Sequence, residues 1–205
     1  MIELFISAIV TFFVIIDPPG CAPIFASLTA GTSSAHRRAM AVRAVVIAAI
    51  ILLLFALVGE AFLRAIGISL DAFRIAGGIM LFLIALEMVF EKRTERRESR
   101  AEEVKNRAPD DISIFPMAIP MIAGPGSIAT AMLLTSHRKG PEEVAIVLAA
   151  LGAVLALTLL ALLAAGPLMR LIGAKAEAVV TRILGVILAA LATQFVIDGI
   201  RASLG

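Results

Sequence analysis

Six predominantly apolar runs, roughly twenty residues each, decide what this chain can fold into. They fall at about 2–29, 40–58, 68–90, 112–135, 144–165 and 178–200. Each is long enough for an α-helix to cross a hydrocarbon core of about 30 Å. Leu, Ala, Val and Ile run on without alternation, which excludes the dyad-patterned strands of a membrane barrel. The composition agrees: 60% of the 205 residues are hydrophobic and the mean hydropathy is +1.03, whereas soluble domains sit near 45–50% apolar. The single cysteine, Cys21, permits no internal disulfide, and two histidines leave almost no ligands for zinc or haem. No cofactor and no nucleic-acid partner is expected. The opening MIELF carries an acid where a secretory leader carries bases, so no cleaved leader is expected.

Charge then orients the runs. The connections after the first, third and fifth hold thirteen of the eighteen Lys and Arg residues, seven of them in the central stretch EKRTERRESRAEEVKNRAPDD. Positive charge collects on the cytoplasmic side, which places that stretch in the cytoplasm and both termini outside. Its interleaved acids read as a solvated linker; the sharper alternative is a patch that binds lipid or a partner. It divides the chain into 1–90, a linker 91–111, and 112–205.

The halves repeat one another. Pro19-Gly20 and Pro125-Gly126 lie 106 residues apart, and Arg64, Ile66 and Gly67 meet Arg170, Ile172 and Gly173 at the same offset. At an offset of 108, Arg74, Ile75, Gly77 and Ile79 match Arg182, Ile183, Gly185 and Ile187. With three spans per half, an odd number, the second half must insert upside down. The expected fold is an all-α membrane protein of six helices in two inverted three-helix repeats, an architecture recurrent among transporters.

Helices one and four are interrupted. Residues 2–16 make only about 22 Å of helix at ~1.5 Å per residue, and Asp17-Pro18-Pro19-Gly20 follows. Gly124-Pro125-Gly126-Ser127 interrupts the fourth run. Unpaired backbone groups are costly in lipid, so such breaks near mid-membrane belong inside protein or beside a water-filled cavity. Each break starts a half-helix with free N–H groups and a positive dipole end. At the first, Asp17 precedes proline in the N-cap arrangement and fills that end itself. At the second, Ala123 cannot cap, and the N–H groups of Gly126, Ser127 and Ile128 are left for an anionic group. Asp17 then faces a cation or ammonium, or serves as a cap alone. Thr11 and Thr130 lie within two turns of the breaks and complete a candidate site with Asp17, Gly20, Cys21, Gly124, Gly126 and Ser127. Glu87 reads as a snorkelling surface carboxylate, and Asp198 with Arg201 as an exposed pair.

DPPG with APIF, PMIAGPGSI, and RILGVILAALATQFVIDGI resemble the MarC family of six-span bacterial and archaeal inner-membrane proteins over essentially the whole chain, which implies a place in such an inner membrane. That resemblance implies transport of small neutral amino acids and a grouping with the LysE-type exporters. The family usually has Asn where this chain has Cys21. The expectation is a secondary transporter, not an enzyme, moving a zwitterion such as glycine or alanine by alternating access, with H⁺ or Na⁺ coupling. The alternatives are an exporter or channel-like permease for another small metabolite, or a regulatory membrane protein that transports nothing.

Overall fold

The computed structural model describes residues 1–106, 111–136 and 140–204, with the side chains of 105–106 and 167–177 left aside. Among the described residues there are helices and no strands. They are α1 (Ile2–Ile16), α2 (Pro18–Leu28), α3 (Ser34–Ala65), α4 (Leu70–Val89), α5 (Lys92–Asn106), an irregular segment Ser113–Ile122, α6 (Pro125–Ser136), α7 (Pro141–Leu163) and α8 (Ala165–Leu204). Five stretches are long and apolar enough to cross a membrane, α1 with α2 counted as one. They become six if the Ser113–Ile122 segment and α6, bent by 54°, form a single span.

Burial sorts these elements into a centre and a periphery. In the most apolar window of α1–α2, 56% of residues are buried, against 22–39% in the other four candidate spans. From Gly126 to Thr135, every α6 residue except Ile128 is buried. The outer faces of α3, α4 and α8 expose Ile50, Leu54, Leu57, Leu83, Ile183 and Val186. Apolar surface on that scale suits hydrocarbon, not water. The first interrupted span and α6, the second half of the other, are therefore interior.

Helices α4 and α8 pack against each other along their length, antiparallel: Ile75 lies against Gly199, Gly78 against Val196, and Met88 against Gly185. A Cβ on Gly78 would stand 2.8 Å from the Ala192 carbonyl oxygen, and one on Gly185 2.9 Å from Met88 Cβ. Small residues at such positions let membrane helices approach closely. Gly77 and Gly185, matched in the repeat, both sit on inward faces.

Three expectations change. The fourth run is not one helix up to Ala123. Its Ser113–Ile122 part departs from helical backbone at Phe115 and Ile119, and the peptides before Pro116 and Pro120 are cis. The stretch after the fifth run continues as helix into α8 instead of forming a loop. The central stretch expected to be a solvated linker is the helix α5, and it docks against the protein. Glu, Arg, Lys and Ala are all good helix formers, and that docking is what builds the site.

Candidate functional site

The first interruption is a single residue. Asp17 ends α1 and begins α2 with φ 59° and ψ 65°, the left-handed conformation that aspartate tolerates better than most side chains. Its Oδ1 accepts from the Gly20 N–H at 3.2 Å, with proline in the first turn of α2. Its Oδ2 accepts from Arg97 Nη1 at 2.8 Å, and both side chains are buried, 1% and 11% exposed. The carboxylate is thus taken by a cation of the chain itself, where the sequence suggested a substrate ammonium. Gly20 is needed for this approach. A Cβ there would fall on Asp17 Oδ2 and lie 2.8 Å from Arg97 Nη1.

Arg97 belongs to a stripe. Arg93, Arg96, Arg97 and Arg100 recur at i, i+3, i+4 and i+7 on one face of α5 and line a single cavity of about 500 Å³. Arg93 is buried; it donates to the Ile15 carbonyl at 2.7 Å and to Met88 Sδ at 2.8 Å. Burial, and then the neighbouring charge of Arg97, push its pKa down to about 10, while Asp17 pulls the other way. A guanidinium in that position stays charged at neutral pH and gains from any anion that reaches it. Arg96 donates to Glu87 Oε1 at 2.7 Å. Glu87 is accordingly an ion-pair partner of the cavity wall, with its Oε2 buried and unpartnered.

The opposite wall is the second interruption: Gly124, Pro125, Gly126 and Ser127 line the cavity. The Ile128 N–H, expected to be available, donates to the Gly124 carbonyl at 3.0 Å. Among the described residues, no acceptor takes the N–H of Gly126 or Ser127. Gly126 permits the tight floor, since a Cβ would sit 2.8 Å from Ile84 Cδ1. The rest of the lining is apolar, including Ile15, Phe115, Pro116 and Ile119, and among the described residues it contains no carboxylate.

The other sequence candidates lie nearby without entering this lining. Cys21 is fully buried on α2, its thiol 3.5 Å from the Ile16 carbonyl oxygen. Thr11 donates within its own helix to Ser7 at 2.8 Å. Thr130, one turn beyond Gly126, is fully buried and its hydroxyl has no partner. Asp198 accepts from Gln194 Nε2 at 2.7 Å, in place of the expected pairing with Arg201. No group of three or more His, Cys, Asp or Glu suited to a metal occurs among the described residues. Sequence reasoning missed the arginine stripe. Its 93-96-97-100 spacing was the available signal, hidden by the acids interleaved along the same helix.

A buried, interrupted helical core wrapped by lipid-facing apolar helices defines an integral membrane protein. The chain belongs to the MarC family: the family model described as MarC family integral membrane protein matches residues 2–204. It is 39% identical over 203 residues to a UPF0056 membrane protein of Methanocaldococcus jannaschii, covering 99% of this chain and 98% of that one. The UPF0056 inner membrane protein YhgN of Escherichia coli is 37% identical over 199 residues, covering 96% and 95%. The Bacillus subtilis UPF0056 membrane protein YvbG is 33% identical, covering 98% and 96%. No solved structure matches the chain.

Proposed function

We propose that this protein is a secondary transporter that carries a small anion across the cytoplasmic membrane by alternating access around the arginine-lined cavity. The observation that carries the substrate reading is the lining itself. Four guanidiniums line the same cavity as the two free amides of a half-helix N-terminus, and among the described residues no carboxylate intrudes. A neutral amino acid would find a place for its carboxylate. Its ammonium would find no carboxylate among the described lining residues, because Asp17 is held by Arg97. An anion is therefore the better fit.

The alternating-access reading rests on the inverted repeat. Two features support it: the constant sequence offsets, and the antiparallel course of α4 and α8, the third spans of the two halves. In this reading α5 lies on the cytoplasmic side, where its positive charge places it. Import of an anion against an inside-negative potential costs about 2.3 kcal/mol per charge per 100 mV, so H⁺ or Na⁺ symport is part of the proposal.

Flux into proteoliposomes tests it, with radiolabelled lactate, phosphate, glycine and alanine offered with and without imposed H⁺ and Na⁺ gradients. The expected result is gradient-stimulated uptake of at least one anion, abolished in Arg93→Gln. Uptake of glycine or alanine in the absence of any anion flux would return the substrate to a zwitterion. Gradient-independent leakage of all four would replace the transporter by a pore.

A further inference from the structure

We infer that the cavity is built for a doubly charged anion of the phosphomonoester type, held by Arg93 and Arg100 against the amides of Gly126 and Ser127. This deepens the anion-binding reading above and rests on it. The argument is a charge count. Of the four guanidiniums on the wall, Arg97 is balanced by Asp17 at 2.8 Å and Arg96 by Glu87 at 2.7 Å. Among the described residues no carboxylate pairs with Arg93 or Arg100. Two guanidiniums thus line the cavity with no carboxylate at ion-pair distance, and for the buried Arg93 that lack is costly.

A monocarboxylate would leave one of them unmatched. A phosphomonoester carries a charge of about −1.5 to −2 at neutral pH and presents three acceptor oxygens. Those oxygens suit donors arriving from two sides, guanidinium forks from α5 and backbone amides from α6. The remaining surface specifies the ester group. Phe115, Pro116, Ile119 and Pro120 form an apolar rim, with Phe115 49% and Ile119 43% exposed. An apolar substituent on the phosphate would lie there. The same headgroup chemistry can reach the site on a soluble ester or on a lipid.

The test uses the full-length protein in nanodiscs at pH 8, with binding read by calorimetry and thermal shift. In phosphatidylcholine discs, phenyl phosphate and inorganic phosphate should bind at least about tenfold more tightly than acetate. Arg100→Gln should remove about tenfold from the phosphates and less than threefold from acetate. Arg100→Lys, which keeps the charge, should recover part of the difference and guards against misfolding as the cause. For the lipid source, discs containing phosphatidic acid should raise the melting temperature above discs with phosphatidylglycerol, and Arg93→Gln should abolish that gap. Preference for dianions in either arm upholds the inference, and the arm that responds identifies the source. Acetate binding as tightly as phosphate, with Arg100→Gln without effect, would overturn the dianion while leaving an anion site. No binding of any anion, with Arg93→Gln and Arg100→Gln indistinguishable from the parent in every disc, would overturn both.

Discussion

Asp17→Asn isolates the ion pair that ties α5 to the first interruption. Asparagine caps a helix about as well as aspartate, so the acceptor for the Gly20 N–H at 3.2 Å survives the change. What is lost is the charge opposite Arg97 Nη1 at 2.8 Å, between side chains 1% and 11% exposed. With charge centres about 4 Å apart and an effective dielectric near 20, the attraction is about 4 kcal/mol. Removing one partner of a buried pair costs about 3–5 kcal/mol, because the other charge remains. Here Arg97 is 11% exposed, so water relieves part of the cost and the lower half of that range is expected. The predicted loss is about 3–4 kcal/mol, or two to three powers of ten in the docking equilibrium of α5.

The assay is a double-mutant cycle of Asp17→Asn, Arg97→Gln and the pair together, read in two ways. Denaturant unfolding in mixed micelles reports total stability. Limited trypsin digestion reports α5, whose arginines become substrates only when the helix opens locally. Both single variants should speed cleavage within 92–106. The double variant should be less damaged than the two losses summed, with a coupling of about 2–3 kcal/mol. Two results would refute the reasoning. One is an Asp17→Asn protein within about 0.5 kcal/mol of the parent and equally resistant to trypsin. The other is a double variant whose loss is the plain sum of the singles.

Other consequences follow from the same contacts. Gly126→Ala places a methyl 2.8 Å from Ile84 Cδ1 and 3.2 Å from Leu81 Cδ2; overpacking of this kind costs about 1–3 kcal/mol and should weaken phosphate binding, as calorimetry would show. Gly78→Ala meets the Ala192 carbonyl oxygen at 2.8 Å and should lower the unfolding midpoint by a similar amount while leaving anion affinity unchanged. For pH, burial holds the Arg93 pKa near 10, so its charge, and the cost of burying it, are present below that value and are lost above it. Sulfate, whose own charge is constant, should therefore bind with level affinity from about pH 7 to 9 and more weakly above about 10.

The crossing helices were legible because the bilayer demands them: a span must satisfy its backbone internally and be apolar for some twenty residues, and both demands are written in composition. Asp17 was legible as a cap for a comparable reason. Aspartate before Pro18, three residues ahead of Gly20, is a purely local arrangement, and the structure keeps it. Arg97 was not legible, because its partner stands eighty positions earlier and nothing local links the two. Interleaved Glu95, Glu98, Glu102 and Glu103 made α5 read as solvated. A helix has several faces, however, and Glu95, Glu98 and Glu102 lie opposite the four arginines. The segment before α6 failed differently. Apolar content suggested helix through 112–123, but Pro116 and Pro120 cannot donate to a helical ladder, and Phe115 and Ile119 ahead of them take extended backbone.

The two interruptions, matched by their Pro-Gly pairs, end up chemically unlike, and the difference explains both. At the first, the N-terminus of α2 is met by a carboxylate that accepts one backbone amide and one arginine of α5. At the second, the N-terminus of α6 offers two amides, and further arginines of α5 stand across a cavity from it. The donor set is of the same kind in both places: free amides at a helix start, with guanidiniums from one shared stripe. The first carries its anion within the chain, as Asp17. Ala123 at the matching position of the second supplies none, and in the proposed reading the charge that completes it comes from outside. Asp17 bound to Gly20 and Arg97 is then an internal example of how an incoming anion would be held. It also fixes α5 in the position that presents Arg93 and Arg100 to the cavity. Docking and ligand recognition are thus coupled through one helix, and loosening the Asp17–Arg97 pair should cost anion affinity even though neither oxygen of Asp17 touches the ligand.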